Sequence, residues 1–197
     1  SLKQVSLRLS GSWDAPQWEA SADFHDVSFA AQPEQRHDDP GIPGASRLSG
    51  HLWMNAEQGA VQLDSAGGTA AFPGIFEYRE VPFRRLTGSV FWNARGPLRL
   101  AFRDLKLIND DLAISADADW RDADEGGIIR VSGEASRARM PALYRYMPIV
   151  AGRTIQTWLE QALRGGLADR AFVEWNGPLS AFPYTGRDAG SGQFLVT

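Results

Sequence analysis

The residues that could do chemistry are few and scattered. The densest groups of potential metal ligands are His37-Asp38-Asp39 and the acidic run Asp117, Asp119, Asp122, Asp124 and Glu125. The second approaches an oxygen-ligand calcium loop, but the required order of Asp or Asn positions, then Gly, then a distant Glu is not met. Gly126 falls where a third Asp or Asn should stand. Both groups read as solvated loop charge, and no metal or cofactor is expected. Hydrolysis would need a nucleophile with its base, or two carboxylates at a working separation. The chain offers three isolated histidines and no G-x-S-x-G turn. His25 and His51 lie in alternating strand patterns, where a polar-face histidine is the ordinary reading. Gly67-Gly68 and Gly126-Gly127 lack phosphate-loop spacing and read as hairpin turns. No residue is therefore assigned a catalytic role, and the chain is read as a non-enzyme.

Trp53, Trp92, Trp120 and Trp175 all fall in strand patterns. Indole faces on one side of a sheet would make a sugar-stacking platform, so a carbohydrate-binding or structural β-sandwich module is the alternative reading. Core packing is the commoner use of a strand tryptophan. With 24 acidic and 20 basic residues, a net charge of -4 and no basic stripe, nucleic acid is not an expected partner. Cysteine is absent, which removes disulfide frameworks and thiolate zinc sites. No stretch approaches the roughly 20 consecutive apolar residues that span a bilayer. The chain opens on Ser1-Leu2-Lys3 straight into the alternation of Val5, Leu7 and Leu9 and closes on Phe194-Leu195-Val196-Thr197. It reads as a segment of a longer protein.

The elements that must position these residues are strands. Residues 112–120 place Leu112, Ile114, Ala116, Ala118 and Trp120 on one face, and Ser115, Asp117 and Asp119 on the other. That is the period of a half-buried strand. Similar runs are predicted near 3–9, 18–29, 47–54, 60–64, 69–79, 85–93, 98–107, 128–135, 171–178 and 192–196. Gly59, Gly67-Gly68, Gly96-Pro97 and Asn109-Asp110-Asp111 punctuate them as turns. Arg47-Leu48-Ser49-Gly50-His51-Leu52-Trp53-Met54-Asn55 recurs 38 residues later as Arg85-Leu86-Thr87-Gly88-Ser89-Val90-Phe91-Trp92-Asn93, with a weaker copy at Arg130-Val131-Ser132-Gly133. The repeat directs Leu48, Leu52, Leu86 and Val90 to one side of the sheet. A second motif runs aromatic, basic, acidic, aliphatic, any, apolar. It occurs at Phe24–Phe29, Tyr78–Phe83 and Phe102–Leu107, each with a one-residue slip of the apolar period that a β-bulge would produce.

Two segments depart from this pattern. Residues 31–46 have no periodicity and read as a long surface loop within a repeated strand region, 1–139. In 140–197, Pro141 starts a short helix that Pro148 ends. Ile155, Trp158, Leu159, Ala162 and Leu163 then form one helical stripe near 152–164, closed by Gly165-Gly166, with further strands after it. The stripe is expected to lie over the sheet. The fold class is mainly β with one principal amphipathic helix.

Tyr146-Met147-Pro148, Trp158-Leu159, Ala162-Leu163-Arg164-Gly165-Gly166, Asn176-Gly177-Pro178-Leu179-Ser180-Ala181-Phe182-Pro183-Tyr184 and Gly192-Gln193-Phe194 occur in that order over the last quarter of the chain. In order and spacing this resembles the YhdP-type branch of the AsmA-like, TamB-related superfamily, with Met147 where Leu is expected and Tyr184 where Phe is expected. The resemblance implies an elongated, curved antiparallel sheet of repeated strand units in a periplasmic protein of a Gram-negative bacterium, anchored in the inner membrane and reaching the outer membrane. It implies that a concave apolar side carries phospholipid acyl chains between the two membranes. On that reading Leu48, Leu52, Leu86, Val90, Leu112 and Ile114 line a lipid groove, which needs many strands sharing one apolar face free of charge.

Overall fold

The structure is a computed structural model, and it describes every residue except 13–14, 33–41, 77, 124–125, 148 and 150–151. His37, Asp38, Asp39, Asp124, Glu125, Pro148 and most of the 31–46 loop lie outside the described residues. Eleven strands are described: β1 (Leu2–Ser12), β2 (Ala15–Phe29), β3 (Gly44–Asn55), β4 (Gln58–Ala71), β5 (Glu80–Asn93), β6 (Arg99–Ile108), β7 (Leu112–Arg121), β8 (Ile128–Arg139), β9 (Leu167–Ala168), β10 (Ala171–Pro178) and β11 (Gln193–Val196). They form one open, curved antiparallel sheet in the order β1 to β8, then β10 and β11, with the two-residue β9 paired to β8. A 3-10 helix at Met140–Tyr146 and helix α1 (Arg153–Ala162) follow β8.

The predicted repeat is a repeat in space. Gly50, Leu52 and Met54 of β3 pair with Leu63, Val61 and Gly59 of β4, and these same three residues pair on their other side with Gly88, Val90 and Trp92 of β5. Its charges repeat as well, since Arg47 meets Asp26 at 3.6 Å while Arg85 pairs with Asp64. The copy at Arg130 is not equivalent. β8 runs opposite to β3 and β5, so only Gly133 shares a place with Gly50 and Gly88.

Register slips occur at two of the three places where the second motif predicts them, and in other strands besides. Asp26 (φ 50°) and Asp104 (φ 51°) sit at breaks in the β2–β3 and β6–β7 ladders. Gln4, Arg47 and Gly88, all at positive φ, mark breaks in the β1–β2, β3–β4 and β5–β6 ladders. Neighbouring side chains take up the displaced amides. The Asp26 N–H donates to Ser49 Oγ (3.2 Å), that of Arg47 to Ser28 Oγ (3.0 Å) and that of Asp104 to Asp117 Oδ1 (2.7 Å). Each bulge restores to the common apolar face a strand whose sequence parity has slipped. Tyr78–Phe83 departs from the motif's pattern because Tyr78 precedes β5 and no bulge follows it.

Four further expectations are corrected. The run 69–79 is not one strand, because β4 stops at Ala71 and Pro73-Gly74 turn the chain. Gly67-Gly68 is no hairpin turn but lies within β4, where a side chain on Gly68 would meet the Phe83 ring at 2.5 Å. Gly59 is likewise a strand residue, and the Trp92 ring occupies the space of its missing side chain. The α1 stripe does not cover the sheet. Gln156 is the buried residue of the helix, while Ile155 and Trp158 are 43% and 62% exposed. The physical reason is that the 3-10 segment stands between the helix and the strands, so α1 packs on Met140–Tyr146.

Candidate functional site: the apolar face of the sheet

Register defines the two faces. Starting from Ala22, successive pairings run through Leu52, Val61, Val90, Phe102, Ala118, Val131, Trp175 and Phe194, one residue from each of nine strands and every one apolar. A second row joins Met54, Gly59, Trp92, Leu100, Trp120 and Ile129, and a third joins Leu86, Leu107, Ile114, Ala135 and Ala171. Between them the opposite face presents Asp23, His51, Gln62, Ser89 and Arg103. His51 Nδ1 there meets Asp23 Oδ1 at 2.7 Å. Alternation alone would not hold this separation across bulged strands. The left-handed residues described above are what keep charge off the apolar side.

Five of the six residues expected to line a groove stand on these rows or beside them: Leu52, Val90, Leu86, Ile114 and Leu112, the last paired with Ala138. Leu48 pairs with Val27 across the β2–β3 bulge. They are not equally accessible. Leu86 and Leu112 are buried, whereas Leu48, Leu52, Val90 and Ile114 are half-buried. Burial follows the strand axis, because one end of the apolar face is closed by residues 72–76 and the 3-10 segment, over Val81, Phe83 and Ala138. The four tryptophans make no single platform. Trp92, Trp120 and Trp175 share the apolar face, and Trp53, paired with Ser21 and Ala60, belongs to the other, where its N–H donates to Glu19.

The closure is held by a polar hub that sequence reading marked only as a turn. Asn109 Oδ1 accepts the amides of Asp111 (2.9 Å) and Leu112 (2.8 Å), and its Nδ2 donates to Pro82 O (3.0 Å) and Tyr146 Oη (3.0 Å). Asp111 receives Tyr146 Oη and Arg145 Nη1, both at 3.2 Å, and Arg139 Nη1 at 3.3 Å. Burial raises the Tyr146 hydroxyl above the usual phenol range, against the opposing bond from Asn109. Beside it, donation from Tyr78 and then from Arg145 lowers the Tyr144 hydroxyl.

At the other end of the sheet a cavity of about 890 Å³ takes Trp92, Leu100, Trp120 and Ile129 from the apolar rows, with Phe91, Asp119 and Arg130 from the polar ones. None of the six expected groove residues lines it. The C-terminal motif forms a packed aromatic cluster of Trp175, Phe182, Tyr184 and Phe194, with ring centroids 5.1 to 5.9 Å apart. Tyr184 fits because Gly177 and Gly192 leave room for its ring, and its hydroxyl accepts the Trp175 N–H at 2.7 Å. Tyrosine in place of the expected phenylalanine is thereby put to use. Among the described residues no group of three or more His, Asp or Glu side chains is placed to hold a metal ion, and no helix is long and apolar enough to cross a membrane.

An open antiparallel sheet with strands in sequence order, one face apolar across nine strands and the other polar, defines a protein that presents an extended apolar surface. The chain belongs to the YhdP protein family, whose model matches residues 1–197, well beyond the C-terminal quarter that carried the sequence motifs. It is a bacterial envelope protein. No curated protein and no solved structure matches it.

Proposed function

We propose that this chain is a non-catalytic segment of a periplasmic lipid-transfer protein, and that its apolar face carries phospholipid acyl chains between the inner and outer membranes. The observation that supports the reading most is the unbroken apolar row from Ala22 to Phe194, which stays half-buried along much of its length. Burying acyl chain against such a surface is favourable by about 25 cal/mol per Å² of apolar area removed from water. The rows lack the charged side chains that would oppose it. Envelope membership supports the setting. Attachment to the inner membrane by a part of the protein outside this segment belongs to the same proposal.

A photo-crosslinking residue at position 52 or 90, placed in the protein in living cells, tests the proposal. Capture of phospholipid is expected. Crosslinks confined to protein would show that the face is sealed as an ordinary core. Leu52→Asp gives a graded test, since a charge on an acyl-chain path costs several kcal/mol of solvation. A folded Leu52→Asp protein that leaves envelope lipid balance unchanged removes the conduit.

A further inference from the structure

Gln156 is the one buried residue of α1, only 7% exposed, and its Nε2 has no hydrogen-bond partner among the described residues. Buried amide donors in folded proteins are almost always paired, and an exception calls for an explanation. Gln156 lines a small cavity of about 200 Å³ together with Tyr78, Tyr144, Arg153, Thr157 and Glu160. The four helix residues follow from one another at helical spacing, so α1 turns a polar face toward the two tyrosines. It does so although its apolar residues Ile155 and Trp158 stay in solvent.

The chemistry of this lining is specific. Arg153 stands in the first helical turn, where the Gly152 cap gives no side-chain hydrogen bond and no acidic residue balances the free amides. Anions are favoured there. Glu160 lies two turns further on, and its charge is felt at both tyrosine hydroxyls. Neither Arg153 nor Glu160 has an ion-pair partner among the described residues. The Tyr78 and Tyr144 rings meet edge to face at 5.6 Å, with their hydroxyls 3.4 Å apart. The Arg145 guanidinium already stands 5.8 Å from both ring centroids, so what the tyrosine pair and Glu160 offer an ammonium group is hydroxyl and carboxylate oxygens, while Arg153 with an unpaired amide donor suits phosphate.

We propose that this pocket binds the zwitterionic head group of a phospholipid, with phosphate at Arg153 and Gln156 Nε2, and ammonium between Glu160 and the Tyr78–Tyr144 pair. The natural ligand's being a lipid rests on the function proposed above. The pocket itself does not, because a water-soluble head group reports on it alone. It stands at the closed end of the apolar face, where Tyr78 meets the 3-10 segment and α1 packs on that segment.

Titration of phosphoethanolamine into the 197-residue chain, followed by calorimetry, is the test. Phosphoethanolamine is expected to bind more tightly than either inorganic phosphate or ethanolamine. Glu160→Gln should erase the advantage over phosphate, and Arg153→Gln should weaken binding at least tenfold. Gln156→Leu should abolish binding while keeping or raising thermal stability, since it removes an unpaired buried amide. Equal affinity for phosphate and phosphoethanolamine in the native chain would overturn the proposal, as would undiminished binding by the folded Gln156→Leu protein. Crosslinking at positions 52 and 90 that finds no lipid would defeat the conduit and leave this site standing.

Discussion

Asn109 Nδ2 donates to Tyr146 Oη at 3.0 Å, tying the β6–β7 turn to the segment that closes the apolar face. Tyr146→Phe breaks this bond and the one to Asp111 while keeping the ring. A loss of about 1–2 kcal/mol is expected in denaturant melts, the cost of leaving part of a buried network unpaired. Asn109→Ala should cost more, because three further bonds of the turn go with it.

The same hydroxyl sets a pH dependence. Burial favours the neutral phenol, so the folded-state pKa of Tyr146 lies above its unfolded value of 10.0. The stabilisation is complete below that unfolded value and is lost as pH rises through the folded one. Native protein should therefore melt at steadily lower temperature once the pH is above about 10, and Tyr146→Phe should lessen that alkaline slope. An unchanged slope in the phenylalanine variant would assign the effect to other groups.

Gly192 leaves its side-chain space to Tyr184, whose ring carbons come within 2.4 Å of where a Cβ would stand. Gly192→Ala is expected to cost about 1–3 kcal/mol through overpacking and to change Trp175 fluorescence. Tyr184→Phe should shift the same emission at a cost nearer ~1 kcal/mol, having lost only the bond from the indole.

Asp104 holds a left-handed conformation that glycine adopts freely and β-branched residues resist. Asp104→Gly should be close to neutral, and Asp104→Val should destabilise by about 1–3 kcal/mol. Asp117→Ala, which deprives the Asp104 amide of its acceptor, should fall between them. Equal stability of the glycine and valine variants would show that φ at this position is not what matters.

Cysteine placed at Leu48 and at Leu86 examines the repeat. Both face the same side, but Leu86 is buried beneath the closure and Leu48 is half-buried. Thiol labelling should be slow at position 86 and faster at 48. Substituting Tyr146 should bring the two rates closer together.

Much of this fold is legible in the residues. The 171–178 run is β10 to the residue, and the strict alternation of 112–120 marks a strand with one face apolar and one polar, because period 2 has no other common cause. What escapes reading depends on partners distant in sequence. Gly67-Gly68 carries a hairpin signal, yet Gly68 exists to let the Phe83 ring approach. The helical stripe of α1 is real, but which face turns inward is decided by the Tyr78–Tyr144 pair and the 3-10 segment. Nothing in 153–162 alone reveals that. The apolar face was partly visible through Leu52, Val90 and Ile114. Its continuity was not, because it depends on bulges that bring strands of different parity into one row. The Asn109 hub reads as an ordinary turn in the sequence, because its partner Tyr146 lies 37 residues away.

Strand order has a kinetic consequence. Apart from the small detour through β9, each strand pairs only with those next to it in the chain. Contact order is therefore low for an all-β protein, and loop closure is cheap at every step. Folding can begin at any hairpin and propagate outward, each new strand using the last as its template. A polypeptide delivered end first from a narrow translocation pore can thus zip up as it emerges, with no need to wait for a distant partner.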